Sequence, residues 1–134
     1  NANTCYVPVY FQSNWFEAVE YCHRLRMRLA IVDNADKHAA VVKLAQETGL
    51  WTSGIFAVWL GASDLARTGI YVWHDTGVRI RFDRWKPGEP TGGLEHCVNL
   101  SYWPSNNFNW TWNDASCDLS LHAVCEQRDS ANPR

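Results

Sequence analysis

Glu89, Thr91, Glu95, Asn113 and Asp114 are oxygen-bearing side chains set around two cysteines, Cys97 and Cys117. Three carboxylates, an amide and a hydroxyl suit one hard cation, and calcium is the usual occupant of flexible all-oxygen sites. The two groups are far apart in sequence, and a bridge between Cys97 and Cys117 would bring them together. Other chemistry finds little support. His23, His38, His74, His96 and His122 have no zinc-type spacing, and no Gly-x-Ser-x-Gly, His-Glu-x-x-His or phosphate-binding loop occurs. The residues point to a binding protein and not to an enzyme.

Recognisable elements must position these groups. Asn14, with Glu17 three residues on, makes a capping box that opens a helix. Trp15, Ala18, Val19 and Cys22 share one face at helical spacing, and this helix should end near Leu25. Asn34 caps a second helix running through Glu47, with Val41, Leu44 and Ala45 as its apolar face and Gly49 as its stop. Beyond Gly49 the pattern changes to short runs rich in β-branched and aromatic residues: Ala57–Leu60, Ile70–Trp73, Cys97–Leu100 and Ala123–Cys125. Tyr6–Phe11 reads as an opening strand. Between Asp83 and Trp112 the chain is crowded with Gly, Pro, Asn and Ser, which predicts long irregular loops, and such loops in a compact domain usually carry function. The fold class is α+β: two helices packed on short antiparallel strands, with an elaborate loop region.

Size and composition set further bounds. A chain of 134 residues is one domain with room for a real core. The expected division is a binding domain over 1–127 and a disordered polar tail over 128–134. Net charge is -2, with no basic patch or Lys/Arg run, so nothing argues for nucleic acid or an anionic membrane surface. No apolar stretch is long enough to span a bilayer; the longest, Ile55–Leu60, reads as a buried strand. Eight tryptophans are far above average, and their N–H groups need partners, so some should sit half exposed. There is no initiator Met and no signal-peptide pattern at Asn1, as in a mature or trimmed fragment. Five cysteines without zinc spacing favour disulfides and an exported protein, and the odd count leaves one unexplained.

The ordered combination of motifs resembles a C-type lectin-like domain from Cys5 to Glu126. Trp59-Leu60-Gly61 is similar to the family's Trp-Ile-Gly core strand, Glu89-Pro90-Thr91 resembles its Glu-Pro-Asn sugar motif, and Trp112-Asn113-Asp114 is its Trp-Asn-Asp motif unaltered. Cys22, Cys97, Cys117 and Cys125 stand where its four hallmark cysteines do. The resemblance implies bridges Cys22–Cys125 and Cys97–Cys117, whereas the sequence alone allows other pairings. In the chain-entropy model the outer bridge would contribute ~4–5 kcal/mol and the inner one about 3 kcal/mol. Cys5-Tyr6 resembles the second cysteine of an extra N-terminal hairpin in long-form members. Its partner would lie upstream of Asn1, so Cys5 is expected either to have lost its mate or to link another chain.

The resemblance also implies one calcium ion, held by Glu89, Thr91, Glu95, Asn113 and Asp114, and a cis Glu89–Pro90 bond. The same five residues would bind carbohydrate. Two adjacent sugar hydroxyls would complete the calcium shell, Glu89 and Glu95 accepting their protons and Asn113 donating to their oxygens. Thr91 replaces the family's Asn; its hydroxyl can bind calcium and donate one hydrogen, which preserves polarity but weakens the shell. Glu-Pro-Thr stays nearer the mannose-type order than the galactose-type Gln-Pro-Asp, so mannose, fucose or N-acetylglucosamine is expected. An auxiliary calcium site is expected to be missing: Asp64 is in place, but Thr68, Gly92 and His96 stand where acids would be. Leu94, Tyr102 and Trp110 are candidates for an apolar platform beside the sugar.

The expected function is a secreted, extracellular, calcium-dependent lectin that recognises surface glycans in innate immunity or agglutination. The alternative is a protein-interaction module, or a subunit disulfide-linked through Cys5, on the same fold. Asn99-Leu100-Ser101 and Asn109-Trp110-Thr111 are glycosylation sequons if the chain is secreted, the first in an expected strand and the second in a loop.

Overall fold

The computed structural model describes residues 4–128. The expected tail therefore lies outside the described residues, except for Arg128. The elements in chain order are β1 (Tyr6–Ser13), α1 (Trp15–Arg24), β2 (Met27–Leu29), α2 (Ala35–Glu47), β3 (Phe56–Ser63), β4 (Val72–Trp73), β5 (Cys97–Trp103), β6 (Phe108–Ala115) and β7 (Leu121–Gln127).

Both helices start where their caps require. The Asn14 side chain accepts from Glu17 N–H at 2.8 Å, and Glu17 Oε1 accepts from Asn14 N–H at 2.9 Å, closing a reciprocal capping box. Asn34 Oδ1 accepts from Lys37 N–H at 2.9 Å at the head of α2. The strands form one sheet in the order β1-β7-β3-β5-β6, with β2 added to β7 and β4 to β3. All pairs are antiparallel except β3 with β7, which run parallel. That pair joins two antiparallel halves, and the reading of short antiparallel strands did not include it.

Three local departures have simple causes. β2 is three residues long, too short to show alternation. The Ile70–Trp73 run contributes only Val72 and Trp73 to the ladder. β6 begins at Phe108, inside the stretch expected to be irregular. The Asn-rich segment pairs fully with β5, and a register shift between Ser101 and Tyr102 coincides with a left-handed Trp110 at φ 60°.

The core is built from tryptophans. Trp15, Trp59, Trp73 and Trp112 are fully buried. Trp15 Nε1 donates to Leu60 O at 2.9 Å and Trp59 Nε1 to Ser13 O at 3.0 Å, which meets the need of a buried indole N–H. Trp103 is exposed, and Trp51, Trp85 and Trp110 are partly buried. Gly61 lies where β3 crosses the backbone after β2: its N–H donates to Ala30 O at 2.8 Å, and a Cβ there would sit 2.5 Å from Leu29 O. Only glycine fits that approach.

Disulfides join Cys22 to Cys125 and Cys97 to Cys117. The first ties α1 to β7. The second closes the loop after β6 onto the start of β5. Cys5 is free and exposed. Beside the outer bridge lies a buried charge network. Glu126, 1% exposed, accepts from Arg28 Nη2 at 2.7 Å, Lys37 Nζ at 2.9 Å and Ile31 N–H at 3.0 Å. Arg128 makes a two-pronged pair with Asp75, both contacts at 2.9 Å. No helix among the described residues is long and apolar enough to cross a membrane.

Candidate metal centre

The β5–β6 ladder sets Cys97 opposite Ala115 and Val98 opposite Asp114. The cysteine bridge thus anchors the strand ends from which Glu95 and Asp114 project. The loop from Lys86 returns over this end of the sheet. Lys86 N–H donates to Trp112 O at 3.0 Å, Glu89 N–H to Lys86 O at 2.8 Å and Glu95 N–H to Gly92 O at 3.2 Å. The Glu89–Pro90 bond is cis.

Glu89, Glu95 and Asp114 converge, each offering a carboxylate oxygen within 4.8 Å of the others. Asp114 is fully buried and is the organising group. Its Oδ1 accepts from Thr91 N–H at 3.0 Å, with Thr91 Oγ1 lying 3.3 Å away. Its Oδ2 accepts from Gly92 N–H at 2.7 Å and the Tyr71 hydroxyl at 3.2 Å. Gly92 has φ 75°, a left-handed turn that points its N–H at Asp114. The Thr91 hydroxyl also donates to Glu95 Oε1. One Glu89 oxygen, Oε1, is buried without a hydrogen-bond partner.

Electrostatics follow from this crowding. Burial, a hydrogen bond with Asp114 and the charges of Asp114 and Glu95 push Glu89 up to about 7, against the pull of Lys86. In this setting Glu89 holds a proton more readily than an isolated carboxyl does. For Asp114, burial opposes the charge. Hydrogen bonds from Thr91 N–H, the Glu89 carboxyl, Gly92 N–H and Tyr71 outweigh it and hold the group below the usual carboxylate range. Burial and the Asp114 and Asp64 charges raise Tyr71, which therefore stays a donor.

These groups fit a hard divalent cation. Carboxylate and hydroxyl oxygens converge, one buried oxygen lacks a partner, and three like charges share a site that a cation would neutralise. Glu89, Thr91, Glu95 and Asp114 are brought together. Asn113 is not: strand alternation puts it on the opposite face of β6, where it pairs across from Asn99 and lines a groove with Asn99 and Ser101. Tyr71 and the Thr91 and Gly92 amides were missed. Tyr71 lies in an apolar run, where alternation gives no sign of what its hydroxyl meets.

Asp64, at the expected auxiliary position, is otherwise engaged. Its Oδ1 lies 2.7 Å from His96 Nδ1, and its Oδ2 accepts from Gly69 N–H at 2.8 Å. The apolar platform does not form as one surface. Leu94 stands exposed in the site loop, whereas Tyr102 stacks on Trp110 at 4.9 Å and Trp51 packs against both. Tyr102 is five residues along β5 from Cys97, roughly 16 Å at strand rise. Of the two sequons, Asn99 is 2% exposed and bonded to Ser101, whereas Asn109 is exposed.

The family model for the lectin C-type domain matches residues 11–127. This chain belongs to the C-type lectin domain family. The domain is 43% identical over 117 residues to salivary C-type lectin 1 of Aedes albopictus, covering 86% of this chain and 76% of that protein. It is 35% identical over 129 residues to perlucin of Haliotis laevigata, covering 95% of this chain and 78% of perlucin. Among solved structures, human lithostathine superposes with a TM-score of 0.80 at 25% identity, covering 94% of this chain and 84% of lithostathine. As in its family, the C-type lectin domain here is a binding module, and no enzyme activity is indicated for it.

Proposed function

We propose that this domain is a secreted lectin that binds one calcium ion through Glu89, Thr91, Glu95 and Asp114, and recognises surface glycans through that ion. The carrying observation is the convergence of three carboxylates around Glu89 Oε1, a buried oxygen with no partner. A bound calcium ion would neutralise the three carboxylates, and Glu89 and Glu95 would then accept from vicinal sugar hydroxyls. The order Glu-Pro-Thr favours mannose, fucose or N-acetylglucosamine over galactose. The salivary lectin of Aedes albopictus, by its name a secretion product, supports an extracellular location. The test is calorimetric titration of mannose and galactose, in calcium and again in chelator. Calcium-dependent heat with mannose supports the reading, and heat with galactose alone overturns the polarity argument. No calcium binding and no heat from either sugar would leave the second reading, a protein-interaction module linked through exposed Cys5.

A further inference from the structure

The arginines are scattered in sequence but not in space. After β4 the chain turns at His74–Gly77 and pairs back, with Trp73 N–H donating to Val78 O at 2.8 Å and Ile80 N–H to Tyr71 O at 3.0 Å. From there residues alternate: Ile80 and Phe82 pack against the core, and Arg79 and Arg81 are exposed. Arg79 and Arg81 meet Arg28 on the lining of a pocket of about 280 Å³, whose walls include Ile31, Val78 and Phe82.

We propose that this pocket is a second, calcium-independent ligand site that binds a sulfated polysaccharide. The charges favour an anion. Arg79 and Arg81 form no ion pair among the described residues, and Asp33, the acid on the lining, is already within 3.7 Å of Lys37. Asp75, in the turn at its edge, is answered by Arg128 and Arg28. The unanswered guanidinium forks of Arg79 and Arg81 in one concavity can each pair with two oxygens of a tetrahedral sulfate ester. The apolar walls suit the C–H face of a pyranose ring, as a mostly apolar pocket with few placed polar groups does. Nucleic acid is a poorer match: Trp73 is buried and the Phe82 ring is covered by Arg84 at 4.3 Å, so no bare aromatic platform is offered for a base. The whole chain carries a net charge of -2, so the clustering is local and not a by-product of a basic protein.

The experiment is binding of the intact domain to immobilised heparin in chelator, against desulfated heparin and single-stranded RNA. Retention on heparin in chelator, lost with desulfation, is the expected result. The double variant Arg79→Ala/Arg81→Ala should bind at least about tenfold more weakly, since two charge-assisted contacts are removed. Glu89→Gln should bind heparin as the unaltered protein does. If the double variant fails to fold, arginine-selective modification of the unaltered domain serves instead: heparin should shield Arg79 and Arg81 and leave Arg24 reactive. No retention at physiological salt, retention equal on RNA, or no shielding of the two arginines would overturn the proposal.

Discussion

Glu89 offers the sharpest test of the metal site, because its proton and the ion compete for the same oxygens. Its carboxyl is pushed up to about 7 by burial and by Asp114 and Glu95. Calcium binding requires the charged form, so the proton must leave as the ion enters. With a value of about 7, roughly nine-tenths of the sites carry the proton at pH 6 and roughly one-tenth at pH 8. The apparent calcium Kd should therefore be about tenfold weaker at pH 6 than at pH 8, with about one proton released per ion at the lower pH. Titration calorimetry in two buffers of different ionisation heat measures both quantities. In Glu89→Gln the pH dependence should vanish and affinity should fall at every pH. Equal Kd at the two pH values with no proton release would refute the assignment of Glu89 to the ion. The metal-free domain should show the matching stability effect. A carboxyl raised in the folded state contributes its stability fully below about pH 4.5 and loses it as pH rises through about 7. After allowance for solvent screening the loss is on the order of 1–2 kcal/mol. Asp114, held low, acts in a different window: its contribution is present above the ordinary 3.8 and is lost as pH falls below it.

Three further outcomes are expected. Saturating calcium should raise Tm by about 4–11 °C, corresponding to ~1–3 kcal/mol of linkage, and Glu95→Ala should remove most of that shift in a thermal melt. Gly61→Ala should cost about 3 kcal/mol in urea unfolding, since its Cβ would press within 2.5 Å of Leu29 O, a backbone atom that cannot swing aside. Glu126→Gln should cost about 3–5 kcal/mol in the same assay, because it leaves Lys37 and Arg28 facing each other without their shared carboxylate.

Much of this was legible in the residues, and the limits have physical causes. Helix starts were readable because a cap is local: Asn14 with Glu17, and Asn34, specify their own hydrogen bonds. Strand existence after Gly49 was readable, but partners were not, since the β3–β7 parallel pair joins segments more than 60 residues apart. β6 was hidden because Asn and Thr signal turns unless a neighbouring strand supplies their partners. The acidic cluster was legible as residue types, and the Cys97–Cys117 bridge explains why distant groups meet. What the residues did not disclose is direction. Asn113 and Asp114 are adjacent, yet strand alternation sends them to opposite faces. The Tyr71 hydroxyl and the Thr91 and Gly92 amides matter only because the returning loop aims them at Asp114.

The pairing of β1 with β7 has a practical corollary. Tyr6 lies opposite Glu126, so both ends of the described chain emerge side by side at one margin of the sheet, while the carboxylate cluster sits at the end of β5 and β6 toward the other. Exposed Cys5 belongs to the first margin. A tether fixed to that thiol would hold every molecule by the same handle and turn the cation-binding loop outward. Immobilisation through Cys5 on a bead or chip therefore gives an oriented array, whose capture capacity should exceed that of the same amount of protein coupled at random through lysines.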